Sequence, residues 1–233
     1  MDFNLADGAL WYGAFLFSTV CHEAAHAWSA LRMGDDTASR GGQVSLNPIP
    51  HVRREPFGMV VVPVITWMMG GWLMGWASAP YNPVWARQHP RRTALMAVAG
   101  PAANLALVLA AALLIRVGVE WHAFAAPYSV NMARIVVAIE PGNMDLVAKV
   151  LSIFFSLNLL LCLFNLLPIP PLDGSSLPLL VLPENSARKY FDITRSPVLQ
   201  IVGFIIISRG LGSYFAPILT FSANLIHPGS HYR

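Results

Sequence analysis

Two histidines four residues apart, with a glutamate beside the first, stand in the stretch "VCHEAAHAW" at residues 20–28. On a helix, positions i and i+4 lie one above the other on one face. His22 and His26 can therefore offer two imidazole nitrogens to one metal ion. Glu23, one step round, can touch a metal-bound water without being a ligand. Zinc with three protein ligands keeps a fourth position for water and lowers that water's pKa to about 7. A neighbouring carboxylate can take the proton and pass it to a leaving amine, which is metal-assisted peptide hydrolysis. With 7 His and 5 Glu in the chain, H-E-x-x-H arises by accident in roughly one such sequence in two hundred. Glu23 is also the one charged residue between Asp7 and Arg32. An ionised group at mid-bilayer costs about 2.5 kcal/mol or more, so something must offset it.

A third ligand is needed. His51, His89, His122, His227 and His231 fall in loops or the tail, and carboxylates in loops have ordinary solvated roles. Asp173 stands apart, in "PLDG" directly after an apolar helix. It either completes a His₂Asp site, the reading favoured here, or caps the following "SSLPLLVL". Asn165 lies eight residues earlier, where "PIPP" ends helical hydrogen bonding and frees backbone groups. Irregular backbone at membrane depth is tolerated where it lines protein or a water cavity, and a hydrolase needs water. Asn104, in "GPAAN", is either a helix–helix hydrogen bond or a substrate contact.

The elements that must hold these residues are membrane helices. Of 233 residues, 55% are hydrophobic and 12% charged, with mean hydropathy +0.54. Soluble domains carry about 25% charged residues. The 15 basic residues cluster between apolar blocks, which points to membrane topology and not to nucleic acid. Spans need about 20 apolar residues. Blocks of that size run over Ala9–Leu31, Thr93–Ile115, Leu146–Leu167 and Val198–Ile226, the last broken by "SRG" at 208–210 and by Pro217. A fifth block, Phe57–Ala79, is punctuated by Pro63, Gly70, Gly71 and Gly75. Between them, "GGQVSLN" at 41–47 reads as a turn followed by a short strand. Cys21 and Cys162 lie in apolar segments and read as small buried hydrophobes, not a disulfide. The N-terminus lacks the basic region and cleavage site of a signal peptide, so the first span is expected to be retained.

Parity sharpens the topology. His22 and His26 lie near the C-terminal end of the first block, and Asp173 follows the C-terminal end of its own helix. If all three reach one ion, the two helices run in the same direction, and an odd number of crossings separates them. Two apolar blocks intervene, so the punctuated one, Phe57–Ala79, is expected to dip in and return. Arg32, Arg40, Arg53, Arg54, Arg87, Arg91, Arg92, Arg188, Lys189 and Arg195 then share one side, the cytoplasm by the positive-inside rule. The expected fold is an all-α polytopic membrane protein with about four crossing helices, a re-entrant apolar segment and a short membrane-associated β element. It forms a single membrane-embedded domain over 1–233, with its core at 9–180 and a C-terminal span at 198–226.

"HEAAH" in a span, a later "GPAAN" and then "NLLPIPPLDG" resemble the site-2 protease family of intramembrane zinc metalloproteases. The last stretch fits that family's N-x-x-P-x-P-x-L-D-G pattern at Asn165, Pro168, Pro170, Leu172, Asp173 and Gly174. The resemblance covers roughly residues 9–180. It implies one zinc per chain on His22, His26 and Asp173, Glu23 as general base, and Asn165 holding the substrate backbone or transition state. It implies transmembrane protein substrates in the bilayer of a bacterial or archaeal cytoplasmic membrane. It also implies that a β element, here Val44, Ser45 and Leu46, receives the unwound substrate as an added strand. The PDZ or CBS domains of many relatives have no counterpart in these residues, and Arg209 has none in the family pattern. A membrane metal or ion transporter using the same His/Glu/Asp cluster is the main alternative. It predicts further intramembrane charges and paired repeats, and the chain shows neither. A silent relative would have no use for Glu23, and a membrane-anchored zincin would need a soluble domain.

Overall fold

The computed structural model describes residues 4–232, apart from the side chains at 204 and 207–214. The described chain is mostly helical. Helix α1 spans Leu5–Met33. Asn4 caps its start by accepting from the Ala6 and Asp7 N–H groups, and Gly34, in the left-handed region at φ 106°, closes its end. Two short helices follow, α2 (Thr37–Arg40) and α3 (Pro48–Arg54), then a π-helical turn at Phe57–Val61 that runs into α4 (Val62–Gly70). Helix α5 (Pro83–Gln88) leads to α6 (Pro90–Glu120). A two-stranded antiparallel sheet, β1 (Phe124–Ala125) with β2 (Val137–Ala138), precedes α7 (Asn143–Asn165). A 3-10 helix at Asp173–Leu180, α8 (Glu184–Thr194) and α9 (Pro197–Ile226) complete the order. Among the described residues, α6 and α7 are long and apolar enough to cross a membrane.

Side-chain contacts give the helix directions. Arg92 near the start of α6 donates to the Met33 carbonyl at the end of α1, so α6 runs back along α1. Lys149 near the start of α7 pairs with Asp7 at the start of α1, so α7 runs with α1. Arg116 near the end of α6 donates to the Ile226 carbonyl, so α9 ends where α6 ends. The main core, including Val108, Ile115, Phe155, Leu159 and Leu219, lies between α6, α7 and α9. A second cluster, Ala14, Phe15, Ile153 and Leu157, joins α1 to α7.

The segment after α3 goes out and comes back. Trp67 in α4 packs against Gly8 near the start of α1. The chain then reverses: the Trp76 N–H donates to the Gly58 carbonyl at 3.0 Å, and the Asn82 N–H reaches the Asp35 carboxylate at 2.7 Å, just beyond the end of α1. Both ends of the excursion therefore lie at the same end of α1.

Two expectations are corrected. Residues 41–47 form turns and bends, not a strand. Local side-chain bonds compete with pairing there: Ser45 accepts from the Asn47 N–H, Asn47 caps α3, and Gln43 reaches across to the Ser78 carbonyl. The sheet sits instead at the opposite end of the bundle. Helix α9 is continuous across 208–210 and Pro217, because one interior proline removes a single N–H from a 30-residue helix. The Arg209 side chain lies outside the described residues.

Candidate metal centre

His22 and His26 face inward from α1, both buried. Asp173 arrives from the other direction, at the first position of the 3-10 helix after the proline-rich loop. Its carboxylate Oδ2 lies 3.1 Å from His22 Nε2 and 3.2 Å from His26 Nε2. The two Nε2 atoms are 3.0 Å apart. Asp173 thus lies with the two histidines as one group that could hold a metal ion.

The outer ring nitrogens are also engaged. His26 Nδ1 lies 2.7 Å from the Met96 carbonyl, and His22 Nδ1 lies 2.6 Å from Asn104 Oδ1. Carbonyl oxygens accept only, so both Nδ1 atoms carry a proton, and in the neutral imidazoles both Nε2 lone pairs point inward. With both imidazoles neutral, three acceptor atoms converge at one point with no donor among them, an arrangement that a cation satisfies. A tetrahedral zinc with bonds of about 2.0–2.1 Å sets its ligand atoms about 3.3 Å apart. The three observed separations fit such an ion.

Gly100 on α6 supplies the room. A Cβ built there would collide with His26 Nε2 and come within 2.5 Å of His22 Nε2. Gly174, next to Asp173, is required by close approach: a Cβ would collide with the Leu166 and Leu167 carbonyl oxygens. Together the two glycines let α6 and the "LDG" turn close on α1.

Glu23 is buried beside the cluster, and among the described residues no group donates a hydrogen bond to its carboxylate. Asn165 is set apart; its Nδ2 donates back to the Leu161 carbonyl at the end of α7. Val44, Ser45 and Leu46 lie in the 41–47 turn, with Leu46 exposed. His51, His89 and His227 bond to the carbonyls of Ser45, Trp85 and Ile135, away from the cluster. Cys21 and Cys162 are both free. Sequence reading missed Gly100, Asn158 and Ser18. Asn158 and Ser18 are buried and hydrogen-bonded behind His22. Ser18, His22 and His26 share one helix face at four-residue spacing, which is the signal that could have found Ser18.

The profile of peptidase family M50 matches residues 11–208. YwhC of Bacillus subtilis (strain 168), named as a candidate zinc metalloprotease, is 37% identical over 160 residues, 68% of this chain and 63% of that protein. Rip2 of Mycolicibacterium smegmatis, named likewise, is 32% identical over 163 residues, 69% of this chain and 52% of that protein. Rip2 of Mycobacterium tuberculosis (strain H37Rv) is 32% identical over 160 residues, 69% and 52% of the two chains. The matches thus span between half and two thirds of the length of these relatives. No solved structure matches.

Proposed function

The chain belongs to peptidase family M50, the site-2 protease family, and on that premise we propose that it is an intramembrane zinc endopeptidase cutting peptide bonds within or near transmembrane segments. The observation that carries this reading is the convergence of His22 Nε2, His26 Nε2 and Asp173 Oδ2 beside a Glu23 carboxylate that accepts no hydrogen bond among the described residues. His22, His26 and Asp173 would hold one zinc per chain. When bound, zinc supplies Lewis-acid polarisation and acidifies water to a pKa of about 7. Glu23 takes a proton from water and returns it to the leaving amine; with no donor tying it down among the described residues, its basicity is not spent elsewhere. Asn165 stands where α7 ends, and its Oδ1 is available to a substrate amide.

The topology belongs to the same proposal. Helices α1, α6, α7 and α9 alternate in direction, which supports four crossings, with α4 and the return segment re-entrant and 1–233 as one membrane-embedded domain. The arginines between α1 and α6 lie at the metal end of the bundle, so the site faces the cytoplasmic side of a bacterial or archaeal membrane. The test is proteomics of membranes carrying wild-type protein or Glu23→Gln. An uncut transmembrane fragment accumulating with Glu23→Gln supports the proposal, and identical membrane proteomes contradict it.

A further inference from the structure

Asn104, Asn158 and Ser18 come from three helices and form one fully buried line behind His22. The direction of each bond follows from the far end. The Phe154 carbonyl can only accept, so the Asn158 atom 2.8 Å from it is the amide nitrogen, which also donates to Ser18 Oγ at 2.9 Å. Asn158 therefore turns Oδ1 to Asn104, whose Nδ2 donates to it at 2.8 Å and lies 3.5 Å from the Ser18 carbonyl. Asn104 is left with Oδ1 facing His22 Nδ1, which must carry the proton. A neutral His22 so held has its lone pair on Nε2, the atom that faces His26 and Asp173. Reversing the Asn104 amide would set its oxygen against Asn158 Oδ1 and the Ser18 carbonyl. The line therefore has one stable direction.

We propose that Asn158, acting through Asn104 and anchored by Ser18, is a positioning residue that sets the tautomer and orientation of His22 for metal binding. This rests on the reading of His22, His26 and Asp173 as zinc ligands. A reversed Asn104 would aim an N–H at Nδ1, forcing the imidazole proton onto Nε2 and into the ligand position. Loss of groups that orient metal-binding imidazoles weakens metal affinity about 10–100-fold.

The test measures zinc affinity by chelator competition on the purified full chain, with unfolding temperature recorded for each variant. Asn104→Leu should weaken zinc about 10–100-fold. Asn158→Leu should weaken it in the same direction. The double variant should be no weaker than Asn104→Leu alone, because the two residues act in series. Asn158→Asp keeps an acceptor towards Asn104, so it should lose stability yet hold zinc close to wild type. Ser152→Ala removes another buried side-chain bond of α7, to the Ile135 and Val136 amides, and should lower stability without moving zinc affinity. A readout independent of any variant is ¹⁵N NMR of the histidines in zinc-free wild type, where His22 should be the Nδ1–H tautomer. An Nε2–H tautomer overturns the proposal, as do additive losses in the double variant. Asp173→Ala in the same series separates the two readings. If it loses zinc while Asn158→Leu keeps wild-type affinity, the relay alone falls. If it keeps zinc, the ligand reading falls and the relay with it.

Discussion

Replacing Gly100 by alanine adds one methyl group in the middle of α6. That methyl would collide with His26 Nε2 and stand 2.5 Å from His22 Nε2. The imidazoles cannot swing clear cheaply, because Asn104 and the Met96 carbonyl hold their outer nitrogens. Two effects on the metal-free fold oppose each other. Alanine in a helix interior is favoured over glycine by about 1 kcal/mol, while overpacking costs about 1–3 kcal/mol. The metal-free protein should therefore lie between unchanged and about 2 kcal/mol less stable. The larger effect is on zinc, whose ligand atoms are pushed apart. A 100-fold loss of affinity would remove about 2.7 kcal/mol of the stability that excess zinc confers. The assay is thermal unfolding of purified protein with and without zinc, paired with chelator competition. Gly13→Ala is the control: it is also a helix-interior glycine, but a Cβ there would meet nothing within 4 Å. It should gain up to about 1 kcal/mol and bind zinc as wild type does. Wild-type zinc affinity in Gly100→Ala would show that the close approach of α6 does not shape the site.

Asp173→Ala should strip zinc, as measured by metal content, while His51→Ala and His89→Ala keep it; zinc lost with either histidine would show the third ligand to be misassigned. Asp35 lies outside the spans and accepts from Thr37 N, Thr37 Oγ1 and Asn82 N. Burial pushes its carboxyl pKa up, but the bonds from Thr37 and Asn82, with Arg40 nearby, outweigh this and hold it below the ordinary value. A lowered folded pKa gives stability that is present above the unfolded value of about 4 and lost as pH falls through the folded one. Asp35→Asn should therefore unfold at a lower temperature than wild type at pH 7, with the gap closing in acid; a gap independent of pH would contradict this. Ser39→Cys and Gln88→Cys, made separately in a background lacking Cys21 and Cys162, should both resist an impermeant thiol reagent in intact cells. Labelling of one and not the other would mean that the segment between them crosses.

The grouping of His22, His26 and Asp173 was legible because the two histidines carry visible chemistry at helical spacing, and because Asp173 follows an apolar helix that runs with α1. The re-entrant course expected for Phe57–Ala79 rests on the same premise: three ligands at one point constrain every crossing between them. What the sequence did not show depends on long-range contact. Gly100 bears no functional group, and its role exists only where α6 crosses the two imidazoles. Asn158, in "SLNLLLCLF", reads as a stray polar residue until α1 and α6 are placed beside it. The strand expected at 41–47 failed because alternation alone cannot register that Ser45 and Asn47 satisfy nearby amides themselves.

Zinc-dependent proteolysis with Glu23 as base is tested by pairing zinc content with cleavage of a model transmembrane helix by the purified wild-type and Glu23→Gln proteins. One zinc per chain is expected in both, with cleavage by wild type and none by Glu23→Gln, because the base is lost while the ligands stay. Cleavage by Glu23→Gln at near the wild-type rate, or wild-type cleavage that persists after zinc is removed, would contradict it.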